Sequence, residues 1–218
     1  MIKFINVTKR YPVRGGYNTV LDNVSFEIGR HETLGIMGRN GAGKSTSVRL
    51  LSGSELPTSG QICRRMSVSW PLAFGGAFQS SLTGRDNIKF ICRIYGVDYS
   101  TAFDFVAEFA ELGRYLQEPV KTYSSGMSAR LAFAISMVVN FDCFLIDEVI
   151  SVGDSRFHEK CRHELFEKRK DRAFVIVSHD PSYIREHCDR VIVLSQGRMT
   201  HFDDAEQGIE FYLRGDDH

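Results

Sequence analysis

Apolar residues along this chain repeat with two periods, and the switch between them marks out its elements. Residues 2–7 (IKFINV) and 24–28 (VSFEI) alternate apolar with polar, the period of a half-buried strand. Between them YPVRGGYNT reads as a turn or hairpin loop bearing Gly and Pro. Residues 33–37 (TLGIM) form a short apolar run that stops at Gly38, which predicts a buried parallel strand feeding a loop. A helical pattern resumes over 44–51, and PTSGQI at 57–62 predicts a turn and one more short strand.

From about residue 82 to 116 the strand pattern disappears. Ile88, Ile91, Ile94 and Tyr95, then Phe105, Phe109 and Leu112, keep helical spacing and predict a mostly helical insertion. Met127, Leu131, Ile135 and Val138 continue that period. Strand-like runs at 143–146, 173–177 and 191–194 then alternate with helical stretches at 156–168 and 181–187. The chain closes on a run at 198–202 and a terminal helix at 205–213. Such alternation predicts an α/β fold with a mainly parallel sheet.

Composition narrows the classes. The 218 residues suffice for one substantial domain with an inserted subdomain. The 27 Lys and Arg balance 27 Asp and Glu, and without a basic excess a role built on neutralising nucleic-acid phosphates is disfavoured. No stretch approaches the ~20 apolar residues of a membrane-spanning helix, and the N-terminal residues read as a first strand instead of a signal peptide. Contact with a membrane is therefore expected to run through a partner. Five scattered cysteines with no CxxC pair read as reduced, buried thiols in a cytosolic setting, not as metal ligands.

The chemistry begins at the end of the 33–37 run. Gly38, Arg39, Asn40, Gly41, Ala42, Gly43, Lys44, Ser45 and Thr46 fit G-x-x-x-x-G-K-[ST] at every fixed position, between a strand and a helix. The glycines let backbone N–H groups turn inward where side chains would block phosphates, and the helix N-terminus adds partial positive charge. Lys44 can reach the β- and γ-phosphates, and Ser45 can offer its hydroxyl to Mg²⁺. These residues predict binding of a nucleoside triphosphate. About a hundred residues on, FLIDE ends an apolar strand in two carboxylates: Asp147 to hold Mg²⁺, and Glu148 to polarise an attacking water as general base.

YSSGM, residues 123–127, opens a helical stretch shortly before FLIDE and resembles the LSGGQ signature of ABC-type ATPases. Ser124 and Gly126 match; Ser125 and Met127 stand where that family has glycine and glutamine. Other landmarks fall in the family's order. Gln79 resembles the Q-loop glutamine that senses Mg²⁺ and the attacking water, and His179 resembles the switch histidine at the γ-phosphate. Asp154 ends a segment similar to the D-loop, with Gly153 as a departure. Tyr11, 27 residues before Gly38, resembles the aromatic that stacks on adenine, with Tyr17 as a competing candidate. The resemblance spans nearly the whole chain.

It implies a P-loop, RecA-like ABC ATPase core over 1–80 and 129–218, with an N-terminal antiparallel β subdomain and an inserted α-helical subdomain at 81–128. It implies catalytic roles for Glu148, His179 and Gln79, and a metal set of Ser45, Gln79 and Asp147. ATP with Mg²⁺ would be completed in trans by Ser124, Ser125, Gly126 and Met127 of a second copy, giving a head-to-tail homodimer. An integral membrane permease, with further envelope export components, would be the partner at the cytoplasmic face of the inner membrane; no nucleic acid is expected.

Two segments resemble one branch of the family, which exports polysaccharides and teichoic acids: DEVISVGD at 147–154 and SLTGRDNIKF at 81–90. The combination of SWPLAFGGAFQ at 69–79, YSSGM at 123–127 and DSRFHEKC at 154–161 is most similar to capsular polysaccharide exporters of Gram-negative bacteria. O-antigen, teichoic-acid or other glycolipid export is the alternative cargo, although O-antigen relatives often carry a carbohydrate-binding domain for which no room is expected after residue 193. A soluble ABC ATPase of translation or DNA repair would be expected to have two ATPase halves or a coiled-coil insertion. A nucleotide or metabolite kinase is opposed by YSSGM, Glu148 and His179.

Overall fold

The computed structural model describes residues 1–72, 78–147 and 154–215. Its backbone contacts divide the chain into two compact units. The first comprises Met1–Pro71, Phe141–Val149 and Asp171–His218; the second comprises Leu72–Asn140 and Ile150–Lys170.

The first unit holds two sheets. In one, β1 (Ile2–Val13) lies between β2 (Gly16–Ile28) and β4 (Ser59–Arg64), antiparallel to both. The other has six strands in the order β5 (Val68–Pro71), β6 (Cys143–Asp147), β7 (Ala173–Val177), β3 (Thr33–Met37), β8 (Arg190–Ser195) and β9 (Arg198–Phe202). All neighbours run parallel except β9, which returns antiparallel on β8. Strands β3, β6 and β7 read as apolar runs because both faces are covered. In β3, Leu34, Ile36 and Met37 are wholly buried, and in β7 all five residues are buried. Helix α1 (Lys44–Ser52) contributes Val48, Leu50 and Leu51 to a core shared with Ile2, Phe4 and Val7 of β1 and with Leu145, Val175 and Ile192 of the large sheet. Helices α6 (Pro181–His187) and α7 (Ala205–Arg214) complete the unit.

The unit departs from the sequence pattern at two places. The YPVRGGYNT segment is mostly strand: β1 and β2 pair as far as Val13 and Gly16, leaving only Arg14 and Gly15 to turn. Pro12 is tolerated there because β4 pairs with β1 only up to Thr8, so nothing asks for a donor on that edge. Strand β5 had no periodic signal. Its Ser69 is fully buried, accepting the Leu145 N–H at 2.9 Å and donating to the Trp70 carbonyl at 2.7 Å. Trp70, half-buried, packs edge-on against Phe141 at 5.3 Å.

The second unit is helical among its described residues: α2 (Gly84–Tyr95), α3 (Tyr99–Ala110), short 3-10 turns at Gly113–Gln117 and Val120–Thr122, α4 (Ser125–Val138) and α5 (Ser155–Arg162). A π-helical turn at His163–Glu167 follows α5, where the sequence pattern had one continuous helix. Phe109 of α3 sits in an aromatic cluster with Phe105, Phe133 of α4 and Phe157 of α5, centroids 5.4–5.7 Å apart. That cluster explains why this unit extends beyond the expected 81–128 insertion: α4 and α5 bury aromatic faces against α3.

Candidate nucleotide site

The strand order delivers three sequence motifs to one edge. The C-terminal ends of β6, β7 and β3 are neighbours, with Asp147 opposite Val177 and Val177 opposite Ile36 in register. Asp147 closes β6, His179 follows β7, and the 38–46 loop follows β3. Ligands of parallel α/β sheets bind at such carboxyl ends.

The loop's shape comes from the protein side as much as from the ligand side. A Cβ on Gly38 would lie 2.5 Å from the Leu194 carbonyl oxygen, so β8 excludes any side chain there. Gly43 has φ +112°, and its Cβ would meet Val20 at 3.0 Å. These constraints add to the expected need to keep the concave face clear of side chains. Lys44, buried, donates from Nζ to the Gly38 carbonyl at 2.7 Å and the Arg39 carbonyl at 3.2 Å, closing the loop on itself.

Helix α1 begins at Lys44 with no side-chain cap. Every other described α-helix has one: Thr83, Asp98, Ser124, Asp154, Asp180 and Asp204 accept N–H groups of α2 to α7 in turn. An uncapped helix start with its dipole aimed into a glycine-bearing loop is an anion site.

A cavity of about 370 Å³ opens at this helix start, lined by Tyr11, Val20, Asn40, Gly41, Gly43, Lys44, Ser45, Thr46, Arg49 and Asp147. Gly38, Arg39 and Ala42 line a second cavity of about 360 Å³ with the end of β8 and α7. Ser45 is exposed and Asp147 half-buried, so a hydroxyl and a carboxylate face one space. Among the described residues no three His, Cys, Asp or Glu cluster as a self-contained metal site. A cation here would need phosphate oxygens to complete its shell, which suits Mg²⁺.

Tyr11 and Tyr17 part company. Tyr11 lines the cavity and its hydroxyl donates to Glu55 at 2.6 Å, while Tyr17 is 73% exposed near the hairpin tip. The Tyr11 hydrogen bond, with Lys9 and Arg49 beside it, holds the Glu55 carboxyl below its usual range. His179 is exposed between the buried Ser178 and Asp180, the α6 cap.

The remaining predicted residues belong to the second unit. Ser124 caps α4, accepting the Met127 N–H at 3.2 Å; Ser125 and Gly126 form its first turn. Asp154 caps α5 through the Phe157 N–H at 2.9 Å, which with Arg130 nearby keeps its carboxyl below the usual range. Gln79 is exposed, its backbone held by Asn87. Glu148 and residues 151–153 of the D-loop-like segment lie outside the described residues.

Two contributors went unread in the sequence. Arg130, on α4, pairs with Asp154 at 3.1 Å and lies over the Phe157 ring at 4.5 Å, joining the signature-like helix to α5. The fully buried Asn87 is the other; an Asn in a helix's first turn after a Thr cap was the available signal.

Residues 21–151 match the family model described as ABC transporter. Over 212 residues the chain is 60% identical to the ATP-binding protein BexA of Haemophilus influenzae, covering 97% of this chain and 98% of that one. It is 59% identical, with the same coverage, to the capsule polysaccharide export ATP-binding protein CtrD of Neisseria meningitidis serogroup B. Among solved structures, the ATP-binding cassette MJ0796, in a dimeric post-hydrolysis state bound to ADP and Pi, superposes with a TM-score of 0.78. That match covers 93% of this chain and 98% of the other at 23% identity, which establishes the fold.

Proposed function

Because the chain belongs to the ABC transporter family, whose ATP-binding subunits hydrolyse ATP to drive transport, we propose that it powers export of a capsular polysaccharide through a separate membrane permease. The observation that carries the chemistry is the uncapped start of α1, which shares a cavity with Asp147. The phosphates of ATP take the place of the missing cap, with Lys44 turning from the loop carbonyls to the β- and γ-phosphates. Tyr11 stacks on adenine, positioned by Glu55. Ser45 and Asp147, with Gln79, would hold Mg²⁺, which would supply neutralisation of the phosphate charge. Glu148 accepts the proton of the attacking water, and His179 steadies the γ-phosphate.

Signature residues Ser124, Ser125, Gly126 and Met127 act on ATP held by a second copy, with Asp154 at the seam between copies. ATP favours the closed pair and hydrolysis releases it, a shift between two populated states. No described helix is long and apolar enough to cross a membrane, in keeping with work done through a permease at the cytoplasmic face. The cargo reading is supported by the likeness to CtrD over nearly the full length of both chains.

Deletion of the gene, with chemical analysis of surface and intracellular glycans, tests this reading. Capsular polymer should accumulate inside the cell and return to the surface with the parental gene but not with Lys44→Ala. A normal surface capsule in the deletion strain would overturn it.

A further inference from the structure

The second unit contains a strap that the family motifs do not account for. Gln79 and Ser124 are 45 positions apart in sequence, yet their neighbourhoods are bonded directly. Lys121 N–H donates to the Ser80 carbonyl at 2.8 Å and Val120 N–H to the Leu82 carbonyl at 2.9 Å. Thr83 and Pro119 form an antiparallel bridge between them. On one side Asn87 anchors the strap: its side-chain oxygen accepts the Gln79 N–H at 3.0 Å, and its amide donates to the Gln79 and Thr83 carbonyls at 3.2 and 2.9 Å.

The other side is anchored by Tyr123, which occupies the place of leucine in LSGGQ. Its phenolic O–H donates to the Tyr115 carbonyl, and the phenolic oxygen packs against Gly84, the first residue of α2. The fit leaves no slack: a Cβ on Gly84 would lie 2.6 Å from that oxygen. Leucine has no group that could make that bond. One residue before Ser124, the chain is thus packed against the start of the helix that follows Gln79.

We propose that Tyr123 is a positioning residue, its hydroxyl setting the register between the Gln79 segment and the N-terminus of the signature-like helix. The two motifs then move as one body when the unit engages ATP bound to a second copy. This deepens the proposed function and rests on the signature acting in trans. Because the signature contributes only to the closed state, loss of the register should lower kcat and leave initial ATP binding alone.

The test is Tyr123→Phe, which keeps the ring and removes the hydroxyl. Steady-state ATPase assays of the purified chain should give kcat about three- to ten-fold lower, the range expected for one hydrogen bond, with KM for ATP unchanged. The melting temperature should stay within a few degrees. Gly84→Ala, which pushes a methyl group into the hydroxyl, should lower kcat likewise. Combined with Tyr123→Phe it should cost less than the product of the two single losses, because the clash with the hydroxyl is gone and only Leu116, 3.2 Å from the new methyl, still crowds it. Parental kcat in Tyr123→Phe, a rise in KM instead, or additive losses in the double variant would overturn the proposal. The in-trans reading fails separately: it is contradicted if the parental rate per subunit shows no dependence on protein concentration.

Discussion

The two units build their functional groups by different means. In the first, the site is made of backbone: strand register puts Asp147, His179 and the loop side by side, and packing against Leu194 and Val20 dictates glycine at 38 and 43. In the second, side chains do the positioning. Caps start each helix, Arg130 ties α4 to Asp154, and Asn87 and Tyr123 tie the Gln79 segment to the signature-like helix. A backbone site is rigid and unforgiving of substitution. A side-chain network can be loosened one bond at a time, which suits the proposed engagement of this unit with a second copy.

The largest effect is expected at Lys44. Lys44→Ala removes the ammonium that closes the loop and is proposed to meet the phosphates, so ATP binding should be abolished in titration calorimetry. Unchanged affinity would refute the phosphate-loop assignment. Gly38→Ala adds a Cβ against a carbonyl oxygen that cannot swing away, and urea unfolding should register about 1–3 kcal/mol of destabilisation. Ser124→Ala leaves an uncapped N–H on α4 and should cost about 1 kcal/mol. It should also slow hydrolysis without weakening ATP affinity; a weakened affinity would place the signature in the binding step.

Tyr11→Phe is the gentlest probe. The Tyr11 hydrogen bond lowers the Glu55 pKa in the folded state, so its contribution is complete above the ordinary value of 4.5 and is lost as pH falls through the lowered value. The parental chain should therefore lose slightly more stability than the variant on acidification below about pH 4.5. Parallel acid-denaturation curves would mean that the Tyr11–Glu55 bond contributes nothing in solution.

The same contrast explains what the sequence could disclose. The 33–37 and 173–177 runs were legible as strands because a parallel strand buried on both faces has an unmistakable apolar composition, and the loop at 38–46 because backbone geometry restricts which residues fit. Strand β5 was not, since a buried serine serves it in place of an apolar residue. The hairpin beyond residue 7 was hidden by bulges, with register shifts at Phe4/Val7, Val7/Lys9 and Lys9/Arg10 interrupting the alternation. The π-helical turn at His163–Glu167 holds Glu164, 6% exposed, against Arg169 at 2.7 Å, and Arg169 also donates to the Met137 carbonyl at 2.7 Å, a contact made only on folding. Tyr123 and Asn87 act through bonds to residues brought close only by folding, so periodicity carries no trace of them.

On the proposed function each chain is half of an ATPase, its phosphate site completed by another chain's signature-like helix. Sedimentation of Glu148→Gln with ATP is the decisive measurement, because this substitution should slow hydrolysis by about 10²–10⁴ while leaving ATP bound. The sedimenting mass should double from 24.7 kDa when ATP is added, and Lys44→Ala in the same chain should prevent the doubling. A Glu148→Gln chain that binds ATP and still sediments as a single copy would contradict it.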